Sequence, residues 1–180
     1  MTPSVRPPAV AGLFYPRAAA ELSALCDRLL DGATARPGPP PKALVVPHAG
    51  LVYSGPIAAS AYAQVRGQRG IERVILLGPA HRVYVDGVGA LGAGGAATPL
   101  GVVPVDESDL PPAVRPVPHA HAPEHSLEVQ LPFLQRALPQ ARVTMLLTCD
   151  APAVEVAAVL DALWGGPETL LFISTDLSHY

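Results

Sequence analysis

The sequence predicts an α/β fold, a mainly parallel sheet sandwiched by helices, and two observations carry that prediction. Four compact apolar runs, at 43–46, 74–77, 143–147 and 170–173, lack polar alternation, which is the pattern of strands buried on both faces. Stretches of helical spacing lie between them, and strands alternating with helices favour a parallel sheet covered on both sides. A length of 180 residues suits one domain, 1–180, of a size that buries roughly 70% of its unfolded surface.

Each element has its own local reason. Residues 17–31 place Leu22, Leu25, Leu29 and Leu30 at helical spacing beside acids and arginines. The prolines of 37–41 form a connector before the first core strand. Residues 56–66 are Ala-rich and read as a helix that begins at Pro56, with Ser54 as its cap. The segment 83–118 fits less well, and 85–90 pairing with 102–105 as a hairpin across the Gly-rich loop 92–99 is the simplest reading. Gly87, Gly89 and Gly92 there spell GxGxxG, but the residues that follow cannot open the helix on which a dinucleotide pyrophosphate would rest. Residues 126–138 offer Leu127, Leu131, Leu134 and Leu138, and 152–164 starts with a proline and stops at Gly165-Gly166.

Composition removes several function classes. Charged residues are 15% of the chain, the net charge is −3, and Lys42 is the only lysine, so the dense basic face of a nucleic-acid binder is missing. Aromatic residues are 5%, too few for a base-stacking platform. Mean hydropathy is +0.31, yet no apolar run approaches the roughly 18 residues of a membrane span. The first 16 residues lack a basic start followed by an apolar stretch, so a cytoplasmic protein without membrane contact is expected. Cys26 and Cys149 form no CxxC and read as reduced thiols, Cys149 as a buried inert one.

Chemistry collects where the strands end. The first run leads into Pro47-His48-Ala49-Gly50, the second into Gly78-Pro79-Ala80-His81, and the fourth into Ser174-Thr175-Asp176-Leu177-Ser178-His179. Ligands of open α/β sheets bind outside those carboxyl ends, so parallel strands would bring His48, His81, Asp176 and His179 to one edge. Imidazole and carboxylate suit iron or zinc, and two histidines with one more ligand leave positions open for catalysis. A second constellation is His119-Ala120-His121-Ala122-Pro123-Glu124-His125-Ser126-Leu127-Glu128. A helix starting near Glu124 would set His125 and Glu128 on one face as a zinc pair, with Glu124 there only as an acid favoured by the helix dipole. No HExxH is present, and no GxSxG surrounds Ser54 or Ser126. Tyr15, Tyr53, Tyr84 and Tyr180 border these motifs as candidate pocket residues.

Taken together, the motifs resemble the Memo family, whose bacterial and archaeal members are called AmmeMemoRadiSam system protein B. The resemblance rests on Pro8-Ala9-Val10-Ala11-Gly12-Leu13-Phe14-Tyr15-Pro16, on Pro47-His48-Ala49-Gly50 with Tyr53-Ser54-Gly55-Pro56, and on Gly78-Pro79-Ala80-His81. It continues through the block from Glu124 to Leu134 and the block from Ser174 to Tyr180. Ala80 stands where many relatives carry Ser. The family is similar in fold to class III extradiol dioxygenases, which use non-haem Fe(II). The resemblance implies His48 and His81 as metal ligands with a cysteine as the third, and His125, Asp176 and His179 around the same pocket as catalytic groups. Fe(II) is the metal it implies, with Cu or Zn as alternatives.

Three functional expectations follow from the residues and the resemblance together. The first is a metal-dependent redox protein acting on a small molecule, in which His125 or His179 moves protons and Asp176 orients a histidine. The second is a peptide-binding module using the same cleft, as the resemblance to animal members that recognise phosphorylated peptides implies. The third is a zinc hydrolase built on His125 and Glu128. The family name also implies a functional link to radical-SAM and AMMECR-domain proteins. The family cysteine has no counterpart before Tyr180, and Cys149 lies in the wrong block, so the domain is expected to be incomplete at its C-terminus, with Asp176 or His179 replacing the missing ligand.

Overall fold

A computed structural model describes residues 4–39 and 41–177. In chain order the elements are β1 (Val5–Arg6), α1 (Ala19–Gly32), β2 (Ala43–Val46), α2 (Leu51–Tyr62), β3 (Arg73–Pro79), β4 (Val88–Ala90), β5 (Gly95–Thr98) and β6 (Gly101–Pro104). These are followed by β7 (Arg115–Pro116), α3 (Pro118–His121), a 3-10 turn (Glu128–Gln130), α4 (Leu131–Ala137), β8 (Arg142–Thr148), α5 (Ala153–Leu163) and β9 (Thr169–Ser174). A six-stranded sheet runs in the order β2-β9-β3-β8-β4-β7, and its β2, β9, β3 and β8 are parallel. A small sheet of β1-β5-β6 stands apart from it.

The four apolar runs are the four parallel strands, and their alternate residues supply two cores. Val74, Leu76, Val143, Met145 and Phe172 face α1, α2 and α4, while Ile75, Leu77, Leu146 and Leu171 face Val159 and Leu163 of α5. Phe172 and Phe133 both stack on the Tyr62 ring, at 4.9 and 5.1 Å, which joins β9, α4 and α2. The strand expected to be buried on both faces at 43–46 is instead the edge strand β2, and its Val45 is 54% exposed beyond the reach of α5. The lone lysine ties this edge to the helix beside it. Lys42 Nζ donates to the carbonyls of Trp164, Gly166 and Thr169, each at 2.7 Å, so its three protons are all used.

Three local expectations are corrected. The second helix begins at Leu51, not Pro56, because the Leu51 amide finds the Phe14 carbonyl at 2.8 Å and the first turn is thereby satisfied from a distant segment. Ser54 is therefore inside the helix and donates back to the Ala49 carbonyl at 2.7 Å rather than capping it. The hairpin of 102–105 is made with the Gly-rich segment itself, β5, and not with 85–90; β4 instead pairs antiparallel with β8 and parallel with β7. Gly95 explains the choice, since a Cβ there would stand 2.6 Å from a Val102 methyl. The helix foreseen at 126–138 is divided into a 3-10 turn and the seven-residue α4.

Candidate metal centre

Register brings the chemistry to one edge. Val46 of β2 pairs with Ser174 of β9, and Leu77 of β3 pairs with Ile173, so the neighbouring strands finish nearly level. His48 and Asp176 then lie two residues past paired positions, and His81 lies two past the end of β3. Gly78 keeps the strand end close to its cover, as a Cβ there would meet Leu127 at 2.7 Å. One nitrogen from each of His48, His81 and His125 lies within 4.8 Å of the other two, a cluster that could hold a metal ion. The ring centroids are 5.2 Å apart for His48–His81, 5.6 Å for His48–His125 and 4.7 Å for His81–His125. Two nitrogens bound at ~2.1 Å to a common ion stand at most ~4.2 Å apart, a little less than the outer limit of this cluster.

Hydrogen bonding fixes the tautomers in a form suited to metal binding. Ser174 Oγ donates its single proton to the Ser126 carbonyl at 2.6 Å, so toward His48 Nδ1, 3.0 Å away, it can only accept. His48 Nδ1 therefore carries the proton and Nε2 keeps a free lone pair. A carboxylate makes the same assignment at His81, where Nδ1 donates to Glu124 Oε1 at 3.0 Å. Glu124 also accepts the backbone N–H groups of His81, His125 and Ser126. Burial would raise its pKa, but the nearby His125 ring, the hydrogen bond from the His81 ring and those from these amides outweigh burial and hold the carboxyl well below its usual range. His125 Nδ1 lies 3.1 Å from Glu124 Oε1 but is aimed off it, which leaves a buried ring nitrogen without a hydrogen-bond partner. His125 is thus the one ring of the three whose tautomer no hydrogen bond fixes, and a buried ring nitrogen without a partner fits a group that binds an ion.

Asp176 stands at the same edge. Its Oδ1 accepts the His48 backbone N–H at 2.8 Å and its Oδ2 is 3.9 Å from His48 Nε2, so it orients the main chain of the histidine and not the ring. Burial, against the opposing pull of the Asp176 charge, pushes the His48 imidazole down to about 4, which keeps it neutral and able to ligate at neutral pH. His179, the remaining site candidate, lies outside the described residues, as does Tyr180.

Other expectations are redistributed. Residues 124–127 are not helical, and Glu128 does not share a face with His125. Its carboxylate is completely buried and accepts from Arg6, the amides of Ala9 and Val10 and the Tyr15 hydroxyl, so it is not available to a zinc hydrolase. Tyr15 is spent on that bond and lines no cleft, whereas Tyr53 is 81% exposed. His121 is buried against the Gly89 carbonyl, away from the cluster, and His119 is exposed. Cys149 is exposed, not buried, because it sits one residue past the end of β8. Glu124, which by sequence is no more than a dipole-favoured acid, is the site residue not anticipated; its place directly before His125 was the one signal available.

Comparison with known proteins agrees with the motif pattern. The model of the Memo-like protein family matches residues 6–180. A MEMO1 family protein of Aquifex aeolicus is 40% identical over 185 residues, covering 98% of this chain and 68% of that protein. MEMO1 family proteins of Thermotoga maritima and Methanopyrus kandleri are 37% and 34% identical, again over 97% of this chain and about 70% of their own lengths. With all five motif blocks inside the matched region, the chain belongs to the Memo-like protein family.

Proposed function

We propose that the protein binds Fe(II) through His48, His81 and His125 and supports dioxygenase-like redox chemistry on a small substrate. The observation that carries the reading is the matched pair of tautomers, in which Ser174 and Glu124 hold the Nδ1 protons of His48 and His81 and leave both Nε2 lone pairs free, in rings that cluster with His125. The same donors would accept Cu or Zn; the family's likeness in fold to iron dioxygenases favours Fe(II). Three neutral imidazoles leave the ion its full charge and at least one open position, which supplies Lewis acidity and a place for substrate or oxygen. Around it, Glu124 keeps His81 oriented and Asp176 offers a carboxylate oxygen 3.9 Å from His48 Nε2, where a substrate proton can be taken up.

Metal analysis after anaerobic loading with Fe(II) tests this. The parent should retain iron stoichiometrically, and His48→Ala and His81→Ala should each lose most of it. Parent and variants alike free of iron, copper and zinc would end the reading.

A second reading, a peptide-binding cleft, draws on one observation. Leu13 and Tyr53 are each about four-fifths exposed beside the histidines, since Phe14 packs on His125 at 4.7 Å and Tyr53 lies against Gly50. Affinity for a phosphorylated peptide that survives chelation would favour it over metal chemistry.

A further inference from the structure

Arg6 and Glu128 form an ion pair at 2.6 Å with side chains 5% and 0% exposed, far from each other in sequence. Buried pairs of this kind add little net stability, because desolvation offsets their attraction and well-packed apolar substitutes do as well. What distinguishes this pair is where its other hydrogen bonds end. Arg6 Nε donates to the His121 carbonyl at 2.8 Å, and Nη2 donates to the Glu124 carbonyl at 2.6 Å and the Ala122 carbonyl at 3.4 Å. A rigid guanidinium fork thereby grips the end of α3 and the non-helical residues that lead from it to His125. The side chain of that same Glu124 holds the ring of His81 and the amides of His125 and Ser126.

The other half of the pair reaches the site by a second route. Glu128 Oε1 accepts the Val10 amide at 3.0 Å, and the Val10 carbonyl accepts the amide of Phe14 at 2.9 Å. Phe14 then packs its ring on His125 and gives its carbonyl to Leu51, three residues after His48. Two routes from one buried pair thus converge on all three histidines, while every hydrogen bond of the pair itself ends on backbone, on Tyr15 or within the pair.

We propose that the Arg6–Glu128 pair is a positioning device that holds the Glu124–His125 segment and the Phe14 turn in the geometry the three histidines need. It rests on the metal reading for its purpose, but its effect on the rings is observable without metal. The partners that orient metal ligands typically change affinity 10–100-fold when removed, and this pair acts one step further out through Glu124.

The test uses the full chain, Co(II) as the probe, and three variants. Glu128→Gln keeps the shape and removes the charge, Arg6→Met/Glu128→Leu replaces the pair by apolar groups, and Lys42→Met removes a structural contact elsewhere. Both pair variants should bind Co(II) about tenfold or more weakly and should shift the ring ¹⁵N resonances of His81 and His125 in the metal-free protein. Lys42→Met should leave those resonances in place. Parent-like Co(II) affinity and parent-like ring resonances in either folded pair variant would overturn the proposal. A parent that binds no Co(II) would instead overturn the metal reading, and the ring resonances alone would then decide the positioning role.

Discussion

Burial pushes the His121 imidazole down to about 4, and the Gly89 carbonyl at 3.2 Å offsets this only in part. In the unfolded chain the same ring titrates near 6.5, so between roughly pH 6.5 and 4 the unfolded state binds a proton that the folded state refuses. Stability therefore falls as pH drops through that window, by up to about 3 kcal/mol from this ring, and His48 adds a decline of the same sign. Urea midpoints measured from pH 7 to pH 4 should fall steeply for the parent and less steeply for His121→Gln, whose amide can still donate to Gly89. Parallel slopes would show that His121 is not held neutral by the fold. The contrast between these two histidines is also a lesson in reading motifs. His48 could be placed from the strand it follows, but nothing local separates His121 from His125, because Arg6 and Glu124 decide which of them faces the cluster.

At the scale of elements, legibility followed how much of each element's stabilisation is local. Strands β3, β8 and β9 are built on apolar runs buried on both faces, and the sequence located each to within one or two residues of its ends. Strand β5 is Gly-Ala-Ala-Thr and has no β-branched signature until its last residue; its pairing is decided by the room Gly95 leaves for Val102. Helix α2 starts five residues before the proline that should have opened it, because the partner of its first amide is contributed by Phe14. Helix α5 was legible at both ends, yet its C-terminus depends on a contact no local pattern contains. Lys42 joins the carbonyl of Trp164, which caps that helix, and the Gly166 carbonyl of the loop after it to β9, and lies 5.2 Å over the Trp164 ring. Lys42→Met should lower unfolding stability by about 1–2 kcal/mol, the range for charge-assisted bonds to carbonyls near the surface. An unchanged urea midpoint would mean that water replaces the ammonium at no cost.

Across the whole molecule, the three histidines belong to parts held together only by tertiary contacts. His48 follows the edge strand β2, His81 follows the central strand β3, and His125 rides on a loop fastened by the N-terminal segment. An ion bound by all three would close loops through the sheet edge, the sheet centre and that segment, and it would bind the folded state and not the unfolded one. Linkage then sets the expected gain at RT ln(1 + [M]/Kd), about 2.7 kcal/mol at one hundred times Kd. For a domain of this size, that corresponds to an upward shift in the thermal midpoint of roughly 5–10 °C. Scanning calorimetry with Fe(II) under anaerobic conditions should show the shift in the parent, with its size growing with metal concentration. His81→Ala should abolish most of it while leaving the metal-free midpoint near that of the parent, because the His81 side chain is more than one-third exposed and little packing is lost. Equal shifts in parent and variant would place the bound metal somewhere other than this cluster.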